Sequence, residues 1–236
     1  MALCRDWPAA YTGIMNSLIV FDCDGTLVDS QHVIVAAVRA AFAAHGLPSP
    51  GDGAIRHIVG LSLNEAMAEL LGPDPLVAPE RLAASYREAF LDLRQRDGHR
   101  NEPLYEGIAE SLEALNAAGF LLAIATGKSA RGLEAILAHH GLSACFISLQ
   151  TADSHPSKPH PAMLRAAIAE AGAEPATTVM IGDTSYDMTM ARKAGTLALG
   201  VSWGYHEPRM LRAAGADHIV DDAHALPEAI AALLKE

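Results

Sequence analysis

The sequence is poor in cysteine, in aromatic residues and in basic charge. It has three cysteines in 236 residues (Cys4, Cys23 and Cys145), and their odd number and wide spacing argue against a disulfide framework or a zinc ribbon. Lys and Arg total 17 against 28 Asp and Glu, a formal charge of −11. Because a nucleic-acid backbone and an anionic membrane surface are both negative, we expect neither as a partner, and small molecules are favoured.

Long apolar runs and targeting patterns are also lacking. No uninterrupted apolar stretch reaches the roughly 18 residues that a membrane span needs, and the N-terminus lacks a basic-then-apolar signal pattern. Half of the residues are hydrophobic and 19% are charged, which is typical of a globular protein. We therefore predict a cytoplasmic protein. Residues 1–14 are predicted to be a flexible extension that precedes the first strand.

The periodicity changes along the chain and predicts an α/β fold. A short apolar run at residues 17–21 predicts a buried strand, and about seventy residues of helical pattern follow it. Strands and helices then alternate, with a third strand predicted at residues 145–148. Such alternation predicts a Rossmann-like parallel sheet with helices on both faces. We assign residues 15–30 and 104–236 to this core and residues 31–103 to an inserted all-helical domain.

Two aspartates lie directly after the first predicted strand, in the segment VFDCDGTLVDS. Alternate residues of an extended chain point to the same side, so the Asp22 and Asp24 carboxylates are expected to share one side, and Gly25 then permits a sharp turn. Open α/β sheets bind ligands outside the carboxyl ends of their strands. The pair therefore predicts a reaction centre, and its two like charges require a cation, a basic side chain or a proton nearby.

Later strand ends contribute further polar groups. Thr126, Gly127 and Lys128 offer a hydroxyl and then backbone N–H groups that suit an anionic oxygen, as in a phosphate. Lys158 lies in a stiff proline-flanked loop and can neutralise carboxylates. Asp183 directly follows a strand, and Asp187 comes four residues later, in the first turn of a helix.

These groups predict a metal site. Four carboxylates against one lysine make a strongly anionic cluster that would repel a phosphate. Oxygen ligands favour a hard divalent ion, and a site that retains waters and accepts phosphate oxygens favours magnesium over calcium. We therefore predict Mg²⁺ as the cofactor.

The order DCDGT, ATG, a lone lysine before a helix, and GDTSYD resembles the haloacid dehalogenase superfamily of aspartate-nucleophile phosphatases. The resemblance extends from Asn16 onward, the helical insertion is similar to that superfamily's C1-type cap, and the whole is similar to the phosphoglycolate phosphatases. It implies that Asp22 attacks phosphorus to give an aspartyl-phosphate and that Asp24 protonates the leaving oxygen and then activates water. It also implies that Thr126 binds the phosphoryl group and that Lys158 steadies its charge.

The resemblance also implies the metal ligands. Mg²⁺ would be held by the Asp22 carboxylate, the Asp24 backbone carbonyl and Asp183, with Asp187 acting through water or behind the direct ligands. One position departs from the family, which commonly has asparagine where this chain has Gly127. We therefore expect a substrate contact to be missing there.

Arg56 lies in the segment that reaches over the active site in similar proteins, and we expect it to pair with a substrate carboxylate. The alternative is an exposed helix arginine. Trp203 and Tyr205 are expected to pack locally, outside the site.

The leading functional hypothesis is a phosphatase for a small phosphorylated metabolite, acting as a monomer or homodimer. A phosphosugar mutase similar to β-phosphoglucomutase is an alternative, because it has the same core and cap. A receiver-like signalling domain is a third hypothesis, which the chain length and the insertion oppose. Dehalogenase activity is disfavoured, because those relatives lack the second aspartate of the pair.

Overall fold

Six parallel strands form the sheet that positions the candidate site, in the order β3-β2-β1-β4-β5-β6. The computed structural model describes residues 17–99 and 102–235, so the predicted extension at residues 1–14 lies outside the described ranges. The strands are β1 (Leu18–Phe21), β2 (Leu121–Thr126), β3 (Ser148–Thr151), β4 (Thr178–Gly182), β5 (Leu197–Val201) and β6 (His218–Val220). The predicted Rossmann-like parallel sheet is confirmed.

Helices cover both faces of this sheet. In β1, Ile19 and Phe21 pack into one hydrophobic cluster, while Leu18 and Val20 pack into another on the opposite face. All four side chains are fully buried, as expected for a parallel strand covered on both sides. The helices of the core are α5 (Ile108–Ala117), α6 (Ala130–His140), α7 (Ala162–Ala171), α8 (Ser185–Ala194), α9 (Pro208–Ala213) and α10 (Leu226–Leu233).

The helical insertion between β1 and α5 forms an all-helical cap, in line with the predicted fold class. Its helices are α1 (Gln31–Ala44), α2 (Asp52–His57), α3 (Leu63–Leu71) and α4 (Pro79–Asp97). They enclose a third hydrophobic cluster, which includes Val38, Ile55, Met67 and Leu82. The helical pattern of the sequence falls at residues 33–45, 63–71 and 79–96, so the short helix α2 was not predicted. The residue numbers at which cap and core divide stay a prediction.

Strand β3 differs from its predicted position. Residues 145–148 were predicted, but the strand runs over Ser148–Thr151. Cys145 and Phe146 are buried in the core just before the strand. Because both residues are apolar, the sequence pattern predicted a strand that begins too early. The polar Gln150 is buried at the sheet edge, where its amide donates to the Ser148 hydroxyl at 2.8 Å.

The register of the central strands brings the predicted site residues to one edge of the sheet. Phe21, the last residue of β1, lies beside Ile124 of β2 and Ile181 of β4. The backbone N–H of Asp22 still donates to the Ile181 carbonyl at 2.9 Å. Because predicted site residues follow within two positions on each of these strands, they leave the sheet at the same level.

Within residues 17–99 and 102–235, no helix has both the length and the apolar character that are needed to cross a bilayer.

The cap core gives a stability prediction. Leu82 is fully buried in the cap, whereas Leu76 is 91% exposed in the loop before α4. Leu82→Ala is expected to lower the free energy of unfolding by about 2–5 kcal/mol, because it removes packed methyl groups and leaves a cavity. The same change at Leu76 is expected to cost less than about 0.5 kcal/mol. Chemical denaturation measures both, and equal effects would contradict the described packing of the cap.

Candidate active site

Asp22 is held rigidly at the end of β1. The residue is 1% exposed. Its Oδ1 lies 2.9 Å from the Lys158 ammonium and accepts the Cys23 backbone N–H at 2.7 Å. Its Oδ2 is buried and has no hydrogen-bond partner within the described part of the chain. A buried carboxylate oxygen without a partner costs free energy, so Asp22 Oδ2 is a candidate for binding a ligand.

Two further acids join Asp22. Asp183 directly follows β4, and Asp187 lies in the first turn of α8, where it forms a reciprocal capping box with Thr184. Oxygen atoms of Asp22, Asp183 and Asp187 lie within 4.8 Å of one another, and all three residues are buried. The structure thus brings together three of the four predicted acids.

Each of the two added acids has its own supports. Asp183 accepts from the Thr26 hydroxyl at 2.8 Å and from the Tyr205 backbone N–H at 2.9 Å. The Oδ2 of Asp187 accepts from the Thr184 hydroxyl at 2.6 Å and from its backbone N–H at 3.1 Å. These contacts fix the carboxylates in place without supplying a full positive charge.

Lys158 supplies positive charge to this cluster through contacts with two of its three acids. Its fully buried ammonium lies 2.7 Å from Asp187 Oδ1 and 2.9 Å from Asp22 Oδ1. Burial lowers the pKa of Lys158, but the charges of Asp187 and Asp22 outweigh burial and hold it above its ordinary value. The lysine is therefore charged, and three carboxylates with one ammonium leave an excess of two negative charges.

Burial and this excess negative charge raise the pKa values of two of the carboxylates. Burial raises the pKa of Asp22 from 3.8 to about 7, with Asp187 adding to the rise and Lys158 opposing it. Burial, followed by the charges of Asp22 and Asp187, also raises the pKa of Asp183 well above its ordinary value. A divalent cation would offset the excess charge, and the unpartnered Asp22 Oδ2 offers it a free ligand atom. The residues present therefore fit a hard divalent metal ion.

The Asp24 carboxylate points elsewhere. It accepts a hydrogen bond from the Ser30 hydroxyl, and its Oδ1 lies 2.9 Å from the Lys128 ammonium. It lines the same cavity as Asp22 but is not part of the three-acid cluster. The two aspartates of the DCD segment therefore have different surroundings, one facing buried acids and the other facing a lysine.

A cavity of about 600 Å³ lies between core and cap. Asp22, Asp24, Thr126 and Gly127 line it from the core, and α3 and α4 contribute the opposite wall. The buried Thr126 hydroxyl accepts the Lys128 backbone N–H at 3.2 Å. This volume suits a small organic ligand.

Gly127 lies against the cap backbone. A Cβ at this position would lie 2.5 Å from the Leu61 carbonyl oxygen and 2.7 Å from that of Gly60. The same cap turn is held by a hydrogen bond from the Ser62 N–H to the Ser157 hydroxyl at 2.7 Å. Glycine in place of asparagine therefore permits a closer approach of the cap turn to the core.

The structure does not bring Arg56 into this group. Arg56 is exposed on α2 and lines a separate, smaller pocket with Arg39 and Asp52. It is absent from the residues that line the cavity of Asp22 and Asp24. The expected contact with a substrate carboxylate therefore has no support in this arrangement.

Sequence reasoning missed several contributors. Lys128 was considered only for its backbone, and Tyr205 was placed outside the site, yet its N–H holds Asp183. Gly25 and Gly204 are also part of the arrangement, because a Cβ on either would lie within 2.3 Å of an Asp183 side-chain atom. The glycine-aromatic sequence WGY after β5 is the one signal that could have pointed to this region.

Comparison with known proteins identifies the class. Residues 19–201 match the model of the haloacid dehalogenase-like hydrolases, and the chain belongs to this family. It is 38% identical to the probable phosphatase IndB of Dickeya dadantii, over 94% of this chain and 96% of that protein. It is 32% identical to the phosphoglycolate phosphatase of Vibrio vulnificus, over 90% and 95% of the two chains.

Structural comparison agrees with this assignment. The crystal structure of a predicted phosphatase from Clostridium acetobutylicum superposes with a TM-score of 0.78 at 26% identity, covering 94% of this chain and 99% of that one. The protein is accordingly a hydrolase of the phosphatase type within the family.

The acid cluster predicts how stability depends on pH and on metal. Because the folded pKa of Asp22 lies above its ordinary 3.8, the native state binds more protons than the unfolded chain up to about pH 7. The free energy of unfolding of the metal-free protein should therefore fall as pH rises through this window. Mg²⁺ competes with these protons, so it should raise the melting temperature more at about pH 8 than at about pH 5.5.

Thermal unfolding with EDTA or Mg²⁺ at both pH values measures this effect. Asp183→Asn should reduce the Mg²⁺-dependent shift, whereas Asp74→Asn, the same change at an exposed acid, should retain it. A shift of equal size in both variants would contradict the metal assignment.

Gly127→Ala tests the close approach of the cap turn. The added Cβ meets backbone oxygens, which cannot rotate away, so the described contact should be destabilised by about 1–3 kcal/mol. Hydrogen exchange at the Ser62 amide should accelerate. Gly53→Ala is a matched control, because a Cβ there meets nothing within 4 Å. Unchanged exchange at Ser62 in Gly127→Ala would contradict the close contact.

Proposed function

We propose that the protein is a Mg²⁺-dependent phosphatase that hydrolyses a small phosphomonoester through an aspartyl-phosphate on Asp22. The observation that carries the proposal is the environment of this carboxylate. One oxygen is fixed by Lys158, the other is buried with no hydrogen bond from the residues that the structure describes, and Asp22 lines the cavity between core and cap. A carboxylate fixed at the wall of a cavity is suited to nucleophilic attack.

In the first step an Asp22 oxygen attacks phosphorus, and the bond between phosphorus and the ester oxygen breaks. Asp24 gives its proton to the departing oxygen, which leaves as an alcohol. Thr126 and the backbone around Gly127 bind the phosphoryl oxygens, and Lys158 offsets their negative charge. The location of the Asp24 carboxylate, in the same cavity as Asp22 but outside the three-acid cluster, supports this division of roles.

In the second step water attacks phosphorus of the aspartyl-phosphate. Asp24, now ionised, takes a proton from this water, and the bond between phosphorus and Asp22 breaks. Inorganic phosphate leaves, Asp22 is regenerated, and Asp24 is protonated again for the next cycle. Two displacements thus replace one difficult hydrolysis.

Mg²⁺ would be held by Asp22, the Asp24 backbone carbonyl and Asp183, with Asp187 in support, and when bound it offsets charge on the phosphoryl oxygens and neutralises the acid cluster. Asp187 already accepts from Lys158 and Thr184, which suits a supporting position better than a direct one.

The substrate is proposed to resemble phosphoglycolate, because relatives that share most of this chain include phosphoglycolate phosphatases. Product analysis distinguishes the proposed phosphatase from a phosphosugar mutase. Incubation with a hexose phosphate should release inorganic phosphate, whereas formation of an isomeric hexose phosphate would favour a mutase. A cytoplasmic location and a monomeric or homodimeric state stay predictions.

Asp22→Asn tests the nucleophile. With Mg²⁺ and p-nitrophenyl phosphate, the variant should lose turnover by about 10³-fold or more, because the amide cannot form the phosphoenzyme. Asp74→Asn makes the same chemical change at an exposed position and should keep the wild-type rate.

Trapping the intermediate provides a second measurement. With p-nitrophenyl phosphate, whose nitrophenolate leaves without a proton from Asp24, the Asp24→Asn variant should slow the second step more than the first, so acid-quenched protein should carry a phosphoryl group that peptide mapping places on Asp22. A wild-type rate for Asp22→Asn, or a phosphoryl group on another residue, would contradict the mechanism.

A further inference from the structure

Lys128 places an ammonium group in the substrate cavity, and the proposed chemistry does not use it. Its side chain is 9% exposed, and the residue lines the cavity beside Asp24. The ammonium lies 2.9 Å from Asp24 Oδ1, 3.9 Å from Glu102 Oε1 and 5.5 Å from the centre of the Phe90 ring. A lysine ammonium has three donors, so these contacts leave room for a further anionic partner.

Glu102 does not satisfy Lys128, because it is already paired. Arg94 donates to both of its carboxylate oxygens at 2.7 Å, and the His99 ring nitrogen lies 3.2 Å away. Such two-point pairing of arginine with a carboxylate is strong and directional. Asp24 is therefore the one acid in short contact with Lys128 among the described residues.

The cavity is more basic than the protein as a whole. The chain has 17 basic against 28 acidic residues, yet the cavity lining has four basic and three acidic ones. The basic residues of the lining are Arg87, Arg94, Lys128 and Arg131. Within the described ranges, Arg87 and Arg131 form no ion pair. Because Arg94 is paired with Glu102, the charge that remains for a ligand comes from Lys128, Arg87 and Arg131, and it favours a ligand that carries an anionic group in addition to its phosphate.

We propose that Lys128 is a specificity-determining residue that binds a carboxylate on the leaving part of the substrate. The proposal rests on the proposed phosphatase function. Asp24 must approach the leaving oxygen to protonate it, and Lys128 lies in contact with Asp24, so a group bound by Lys128 lies close to that oxygen. A carboxylate attached one carbon away from the ester oxygen meets this requirement.

The subsite combines core and cap. Lys128 follows β2 of the core, whereas Phe90 and Arg94 belong to the cap helix α4. The Arg94 guanidinium also lies over the Phe90 ring, 4.7 Å from its centre. Both cations therefore meet at one aromatic ring of the cap, and the recognition expected from Arg56 is assigned to Lys128 instead.

Substrate pairs test this assignment. Phosphoglycolate and ethyl phosphate differ in a carboxylate against a methyl group, so the ratio of their kcat/KM values reports on recognition of the carboxylate. The wild-type ratio should favour phosphoglycolate. Lys128→Met keeps most of the side-chain length and should reduce this ratio by about 30-fold or more, since truncating one partner of a buried charge pair has effects of this order. Lys128→Arg should retain most of the preference.

The controls separate the possible failures. Lys193→Met removes an exposed lysine of α8 outside the cavity and should leave the ratio unchanged. Circular dichroism of each variant verifies folding, and Lys128→Arg tests the charge if Lys128→Met does not fold. Equal losses on both esters in Lys128→Met, or no wild-type preference for phosphoglycolate, would overturn the proposal for Lys128 alone. Failure of the wild type to hydrolyse either ester or p-nitrophenyl phosphate would overturn the proposed function.

Discussion

The architecture of the site depends on the burial of excess negative charge at the carboxyl end of the central strands. Asp22, Asp183 and Asp187 are 0–1% exposed, and the buried ammonium of Lys158 pairs with Asp22 and Asp187. Ionised carboxylates are costly to bury unless each is paired and hydrogen-bonded. The local fold therefore supplies hydrogen bonds wherever it can, through neighbouring hydroxyls and backbone N–H groups. Within the described residues one oxygen of Asp22 stays unpartnered, and the proposed function uses it for the cation and the phosphoryl group.

Close backbone approach makes this arrangement possible. A Cβ at Gly182 would lie 2.3 Å from the Asp187 side chain, and one at Gly204 would lie 2.2 Å from that of Asp183. Glycine at these two positions thus leaves room for the Asp187 and Asp183 side chains at the end of the sheet. Gly127 has the corresponding role beside the cap, where it leaves room for the backbone of the turn at Gly60 and Leu61. The same property, absence of a side chain, therefore shapes both the acid cluster and the closure of the cavity.

Much of the core could be predicted from sequence, because strand ends in a parallel sheet fall at one edge and local patterns mark them. Asp22, Asp183 and Lys158 were found in this way. Contacts that depend on the cap could not be predicted, because the direction of a short helix is set by tertiary packing. Arg56 on α2 therefore points outward, while Lys128, noticed only for its backbone, enters the cavity. These errors concern substrate recognition and leave the proposed chemistry unaffected.

The central claim is that a divalent cation offsets the buried charge beside the proposed nucleophile. Crystals grown with Mn²⁺, which replaces Mg²⁺ at oxygen sites and scatters anomalously, test it most directly. The account predicts an anomalous peak at about 2.0–2.3 Å from carboxylate oxygens of both Asp22 and Asp183. A peak remote from these two residues, or no peak at saturating Mn²⁺ with Lys158 still paired to Asp22 and Asp187, would contradict it.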